Sequence, residues 1–276
     1  MPQPEPPQPT STARRFRWRR LFQFRLRTLL ILTALGPGYV SPARSADVTD
    51  ETRVAILMRA MGASLNMCDQ QFGHLPESVT KKDGKVLSSW RFKIMPSLQS
   101  WKREPFFDQA WDAPVNAWAA DMNPMRIYCF EWGQQEGPLK GKMTNVLAIV
   151  GPSTAFEEGK PVSIAKLPSS LILLAEVKTS GLHWMQAGDL DVRTMRRDIN
   201  HSSGQGISGT TKEGFHVCFA DGEVWLLNFD TPFDVLEKFF TIESARTNNR
   251  EAMLGKHRIG SALQFSNQKP PQKPAR

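Results

Sequence analysis

The sequence predicts an α+β fold: an N-terminal helix packed on a mostly antiparallel sheet, with long loops. Three observations lead there. One long stretch, "DVTDETRVAILMRAMGASLNMCDQQFG", has apolar residues at helical spacing. Several short apolar runs follow, each bounded by Gly, Pro or an Asp-Gly pair. These runs do not alternate with helices in the strict order that builds a doubly wound sheet.

Each element has its own signal. In the first helix Val54, Leu57, Met58, Met61, Leu65, Cys68 and Phe72 form one apolar stripe. Asp47, Thr49 or Asp50 can cap it, Glu51 suits its first turn, and Gly73 ends it. The methionines of this stripe read as core rather than as cofactor contacts. Asp83-Gly84 marks a turn, and "SWRFKIM" alternates as a strand up to Pro96. In "WDAPVNAWAADM", Asp112 can cap a short helix that tolerates Pro114 in its first turn. Val146 to Val150 reads as a strand stopped by Gly151-Pro152, and "SSLILLAEV" as a strand buried on both faces. "DLDVRTMRRDIN" reads as a short helix. "HSSGQGISGTTKEG" has four Gly and five Ser or Thr in fourteen residues and reads as a flexible loop. The 215–229 segment is a hairpin around Asp221-Gly222. The spacing predicts a type I′ turn there, with Phe219 facing Val224, Cys218 facing Trp225 and His216 facing Leu227. "TPFDVLEKFFTIESA" follows as a helix capped by Thr231 and opened by Pro232.

Domain organisation follows from composition. Residues 1–46 read as a disordered Pro-rich stretch plus an Arg-rich export leader, 47–245 as one α+β domain, and 246–276 as a flexible tail. The leader has seven Arg between Arg14 and Arg27, the apolar run Thr28 to Leu35, then Gly36-Pro37-Gly38 and the small residues Ala43 and Ser45. That order is a secretory signal with cleavage before Ala46. A membrane span needs about 20 apolar residues; an uncleaved membrane anchor is the alternative, and a basic arm on nucleic acid or a membrane surface the blander one. The formal charge of +8 belongs to the leader: it holds eight of the 35 basic and one of the 27 acidic residues, leaving 27 and 26. The mature domain therefore offers no basic surplus for nucleic acid. Cys68, Cys129 and Cys218 are far apart, which leaves their disulfide state open.

The segments "FGHLPESVTKKDGKVLSSWRFKIMPSL", "AWDAPVN", "YCF", "VGPSTAFEEGK", "LILLAEV", "LHWMQAGDLDV", "NH" and "FADGEVWLLN" occur in this order. In that order they resemble a bacterial family of pilin-like proteins with no assigned biochemical function. The resemblance spans about residues 52–245 and rests on Trp90, Pro96, Trp111, Asp112, Gly151, Pro152, Glu176, His201, Asp221 and Gly222. It implies a pilin-like domain, export, and envelope, secretion or pilus-type partners. The family's usual leader has a Gly-Phe-Thr-Leu-Ile-Glu type cleavage site, which is missing here. The family's His stands nine residues before Asp-Gly, whereas nineteen residues separate His201 from Asp221.

No motif in the chain carries a reaction. His183, His201, His216, Cys218 and Asp221 lack metal-site spacing. There is no G-x-S-x-G, and Cys218 in mid-strand reads as a small buried hydrophobe. Asp108 with Asp112, and Glu157 with Glu158, read as capping or solvated carboxylates rather than a glycosidase pair. The expectation is an exported, non-enzymatic cell-envelope or surface protein without cofactor or metal, touching the membrane through its leader if that is uncleaved. Its alternative is an exported enzyme or carbohydrate-binding module using the Trp-rich 90–132 segment, where Trp90, Trp101, Trp111, Trp118 and Trp132 lie close in sequence.

Overall fold

The computed structural model describes residues 50–98, 105–120, 142–201 and 205–261. The leader, Trp101, Cys129 and Trp132 lie outside the described residues. The elements are α1 (Asp50–Phe72), β1 (Val79–Lys82), β2 (Lys85–Ser89), α2 (Trp90–Leu98), α3 (Ala117–Ala120), β3 (Val146–Val150), β4 (Ile172–Glu176), β5 (Leu190–Asp191), β6 (Gly214–Phe219), β7 (Val224–Asn228), α4 (Phe233–Leu236), α5 (Ile242–Thr247), α6 (Arg250–Leu254) and β8 (Arg258–Ser261). Among the described residues no helix is long and apolar enough to cross a membrane.

The main sheet has the order β5-β3-β4-β6-β7-β8. All its pairs are antiparallel except β3 with β5. The expected mixed fold with a mostly antiparallel sheet is therefore present. Helix α1 packs on β6 and β7. Its stripe is buried at Val54, Met58, Met61, Leu65 and Cys68, while Phe72 at the last turn is 55% exposed. Each fully buried side chain of this kind contributes about 1.5–3 kcal/mol. Gly73 follows with φ 81°, the left-handed stop expected of it. The strand β4 is buried at every position, as its unbroken apolar run predicts.

Several segments differ from the sequence reading. "SWRFKIM" is not a strand: β2 ends at Ser89 and α2 begins at Trp90 without a linker. Trp90, Arg91, Phe92, Ile94 and Met95 are all essentially inaccessible. Only the half-buried Lys93 and the exposed Pro96 mark an outer face, too short a polar stripe for its periodicity to be told from a strand. Pro96 lies within this helix. "DLDVRTMRRDIN" is not a helix but the short strand β5 and a turn, in which Thr194 and Met195 donate to the Asp191 carbonyl. Asp112 does not cap α3; a 3-10 turn at Pro114–Asn116 leads into it from an uncapped Ala113. Thr231 is not a helix cap either, because its hydroxyl donates to the Asn228 carbonyl at 2.7 Å. The segment after it breaks into α4, a 3-10 turn and α5. Ordered structure also runs past residue 245: α6 buries Leu254, and β8 pairs with β7.

The type I′ geometry expected at Asp221-Gly222 is found instead at Asp83-Gly84. At Asp83-Gly84 both φ angles are positive, 50° and 75°, with Lys82 paired to Lys85; this is the type I′ hairpin. At the 215–229 hairpin only Gly222 is positive, at 84°. The Gly222 N–H donates to the Phe219 carbonyl, and the Phe219 N–H to that of Glu223. This is a three-residue loop, a type I turn followed by a left-handed glycine. The register is one residue from the expected one: Cys218 faces Val224, Val217 faces Trp225 and His216 faces Leu226. Both strands are buried on both faces, so the apolar pattern alone does not penalise the slip.

Arg91 joins α2 to the sheet. Its Nε donates to the Trp184 carbonyl at 3.1 Å, Nη2 to those of Gln186 at 2.9 Å and Gly188 at 3.0 Å, and Nη1 to Asp189 Oδ1 at 2.8 Å. The Asp189 Oδ1 atom also accepts from Trp90 Nε1 at 3.1 Å and from the Ala148 N–H of β3 at 2.8 Å. The Arg91 side chain is 0% exposed and that of Asp189 2%. Removing one member of such a pair leaves a buried uncompensated charge. We therefore expect Arg91→Leu to cost about 3–5 kcal/mol in chemical denaturation, with Asp189→Asn destabilising in the same direction. A loss under about 1 kcal/mol for Arg91→Leu would mean that the guanidinium does not organise this region.

Candidate functional site

The densest buried polar cluster beyond Arg91 centres on Glu176, the last residue of β4. Its neighbours in sequence are apolar, and its carboxylate is fully buried. The pairing of Ala175 with Val217 places His216 of β6 beside it. The Glu176 Oε2 atom accepts from the His216 N–H at 2.9 Å and from His216 Nδ1 at 2.7 Å. Its Oε1 atom accepts from the Thr210 N–H at 2.7 Å and from the Thr210 hydroxyl. The Glu176 carbonyl takes the Ser208 N–H at 3.0 Å, and the Ser208 hydroxyl takes the Lys178 N–H. Four donors thus meet one carboxylate, which is how a buried carboxylate is accommodated.

Residues 206–209 of the Gly/Ser-rich segment are consequently packed rather than part of a flexible loop. Residues 206–209 are buried, Ile207 and Ser208 completely. A β-carbon on Gly209 would fall 1.8 Å from the Gly214 carbonyl oxygen, so the glycine there permits a close backbone approach. Sequence reasoning marked Glu176 only through the resemblance and left His216 without a partner. The available signal was a lone acid ending an apolar run.

Asp221 does more than turn the chain. Its Oδ1 accepts from the Glu223 N–H at 3.0 Å, and its Oδ2 pairs with Arg250 at 2.9 Å. The Arg250 guanidinium also meets Glu223 Oε2 at 3.2 Å and lies 4.5 Å above the Phe219 ring and 4.8 Å from that of Trp225. Arg258 stacks on Trp225 at 4.5 Å. These contacts fasten α6 and β8 to the hairpin. His216 and Asp221 thus engage different partners.

The other marked residues are dispersed. Trp90 is in the core. Trp111 is half-buried and stacks on His183, with ring centroids 4.6 Å apart; the Trp111 N–H donates to Leu87. Gly151 leaves β3 at φ 122°, and Pro152 and Asp112 are at the surface. His201 is half-buried near Asp198. Trp118 packs against the core from a half-buried position. Among the described residues no three His, Cys, Asp or Glu side chains converge as metal ligands would.

The ionisable groups carry the mark of burial. Burial pushes the Asp189 carboxyl above its ordinary range, against the pull of Arg91 and the donors on Oδ1. Burial raises the Cys218 thiol to about 12 and the Cys68 thiol to about 11. Thiols held in the neutral form are poor nucleophiles. Both cysteines are free.

Two outcomes follow. Glu176→Gln keeps the shape but turns one acceptor into a donor facing Thr210 or His216. It should cost about 1–3 kcal/mol and speed amide exchange at Thr210 and Ser208 in hydrogen-exchange mass spectrometry. Unchanged exchange there would show that the loop holds without the carboxylate. At the hairpin, Asp221→Asn removes a partly exposed ion pair and should cost about 0.2–1 kcal/mol. Gly222→Val should cost about 1–2 kcal/mol or more, since positive φ resists a β-branched residue. Thermal melts of the two variants would reverse this order if the ion pair dominated the turn. Compared with known proteins, the chain matches no family model, no curated protein and no solved structure.

Proposed function

We propose that this chain is an exported, pilin-like, non-enzymatic component of the cell envelope or cell surface, which acts by presenting a binding or assembly surface. The observation that carries this reading is how the buried polar groups are spent. Glu176 is committed to Thr210 and His216, Asp189 holds Trp90, Arg91 and the Ala148 N–H through Oδ1, and both carboxylates are closed off from solvent. A catalytic carboxylate or imidazole must instead reach substrate. Support also comes from the helix-on-antiparallel-sheet layout and from the order of basic, apolar and small residues in 1–46. The reading of the Trp-rich segment as a sugar platform gains nothing from Trp90, which is buried in the core.

The test is a fusion of residues 1–60 to a reporter that is active only outside the cytoplasm. The expected result is an active reporter and a mature N-terminus near Ala46 by N-terminal sequencing. An intact Met1 in the membrane fraction would assign the segment as an anchor. An inactive reporter, with the full chain soluble in the cytosol, overturns the reading.

A further inference from the structure

The chain holds two Asp-Gly pairs, Asp83-Gly84 and Asp221-Gly222. Such a pair can rearrange without any enzyme, because glycine leaves its N–H unshielded and lets the backbone rotate into position for attack on the neighbouring carboxyl. In sequence the two pairs are equivalent, and both aspartates are at the surface. The fold separates them.

At Asp221 every group that would react is engaged. The Gly222 N–H, the nucleophile, donates to the Phe219 carbonyl at 2.9 Å. The Asp221 Oδ1 atom accepts from the Glu223 N–H at 3.0 Å, and Oδ2 is paired with Arg250 at 2.9 Å. Arg250 is itself held by Glu223 and stacked on Phe219 and Trp225. The carboxylate cannot turn onto the Gly222 nitrogen without giving up these contacts.

At Asp83 the same groups are free. The β1–β2 hairpin is a separate two-stranded sheet, and its turn residues 82–85 are exposed. Among the described residues no hydrogen bond or ion pair engages the Asp83 carboxylate, and the neighbouring Lys81 is spent on Glu158. The bond that closes a turn of this kind comes from the residue after the glycine, here Lys85, so the Gly84 N–H is not used. A β-carbon on Gly84 would meet nothing within 4 Å, so the space around the turn is open. Asp83 stands at φ 50°, a left-handed conformation that strains a residue with a side chain. A β-linked residue has one more rotatable bond and escapes that restriction.

We propose that Asp83 is the site at which the folded chain rearranges to isoaspartate, while the contacts of Asp221 protect the second pair. The Gly84 nitrogen attacks Cγ of Asp83 in its carboxylic acid form. The N–Cγ bond forms, and the nitrogen's proton and the carboxyl hydroxyl leave as water, which closes a succinimide ring. Water then adds to the α-carbonyl carbon of Asp83, and the bond from that carbon to the Gly84 nitrogen breaks. The chain now runs through Cγ, and an α-carboxylate is set free. The mass is unchanged, and the only co-reactant is water. The product fits the class of methyltransferase that esterifies isoaspartyl α-carboxylates.

The experiment ages the full chain at neutral pH, folded in one sample and in concentrated guanidinium chloride in the other. Isoaspartate is then measured at each pair by methyltransferase labelling and by loss of cleavage with a protease that cuts before Asp but not before isoaspartate. The expected result is an excess of about tenfold at Asp83 over Asp221 in the folded chain, which collapses in denaturant. Asp83→Glu should remove the signal at the first turn and leave that at Asp221 unchanged. Equal rates at the two pairs in the folded chain, or no rearrangement at Asp83, overturn the proposal. So does an excess that persists in denaturant, because the flanking residues and not the fold would then set the rates.

Discussion

Burying a guanidinium is the constraint around which α2, the 184–189 loop and β3 are arranged. A charge withdrawn from water is tolerated only when its hydrogen-bonding positions are met. Arg91 meets them with the carbonyls of Trp184, Gln186 and Gly188, three alternate residues of one loop, together with the carboxylate of Asp189. The loop is therefore shaped by the side chain it encloses. Asp189 in turn takes the Ala148 N–H of β3 and the Trp90 indole N–H. The helix α2, the 184–189 loop and the strand β3 are thereby locked to each other. The helical state of α2, which its own alternation does not favour, is consistent with this tertiary demand.

Glu176 does the same for β4, β6 and the 208–210 segment. Its carboxylate ends the most apolar strand of the sheet and gathers a loop rich in Gly, Ser and Thr onto β6. A chain segment with little apolar surface has few ways to offset its conformational entropy. Here the compensation is polar, a fixed acceptor that takes donors from Thr210 and His216. Polar clusters of this kind favour one arrangement because any partial version leaves a buried group unsatisfied.

The Asp-Gly hairpin belongs to a third assembly. Asp221 and Glu223 converge on Arg250, whose guanidinium also covers Phe219 and Trp225. An acid that the local sequence explains as a turn residue thus also carries the docking of α6 onto the hairpin, with β8 beyond it. Turn geometry and tertiary attachment share one side chain, so the two roles separate by substitution and not by inspection of the motif.

Local signals determined what depends on neighbours in sequence. The stripe of α1, its glycine stop, the strands β3 and β4, the hairpin at 215–229 and the turn at Asp83-Gly84 were all legible, because helical and strand periodicity and turn chemistry act within a few residues. Of the candidate site, Glu176 was marked and the hairpin located. The joining of Glu176 to Thr210 and His216 was not, because the residues are 34 and 40 positions apart. Tertiary structure alone decided that Trp90–Leu98 is a helix, that 206–209 is packed, and that residues up to Ser261 belong to the fold. It also decided the hairpin register, since strands buried on both faces carry no polar stripe to mark which side faces in. The physical reason is the same each time. When an element is enclosed on all sides or held by a distant charge, its local pattern no longer reports its environment.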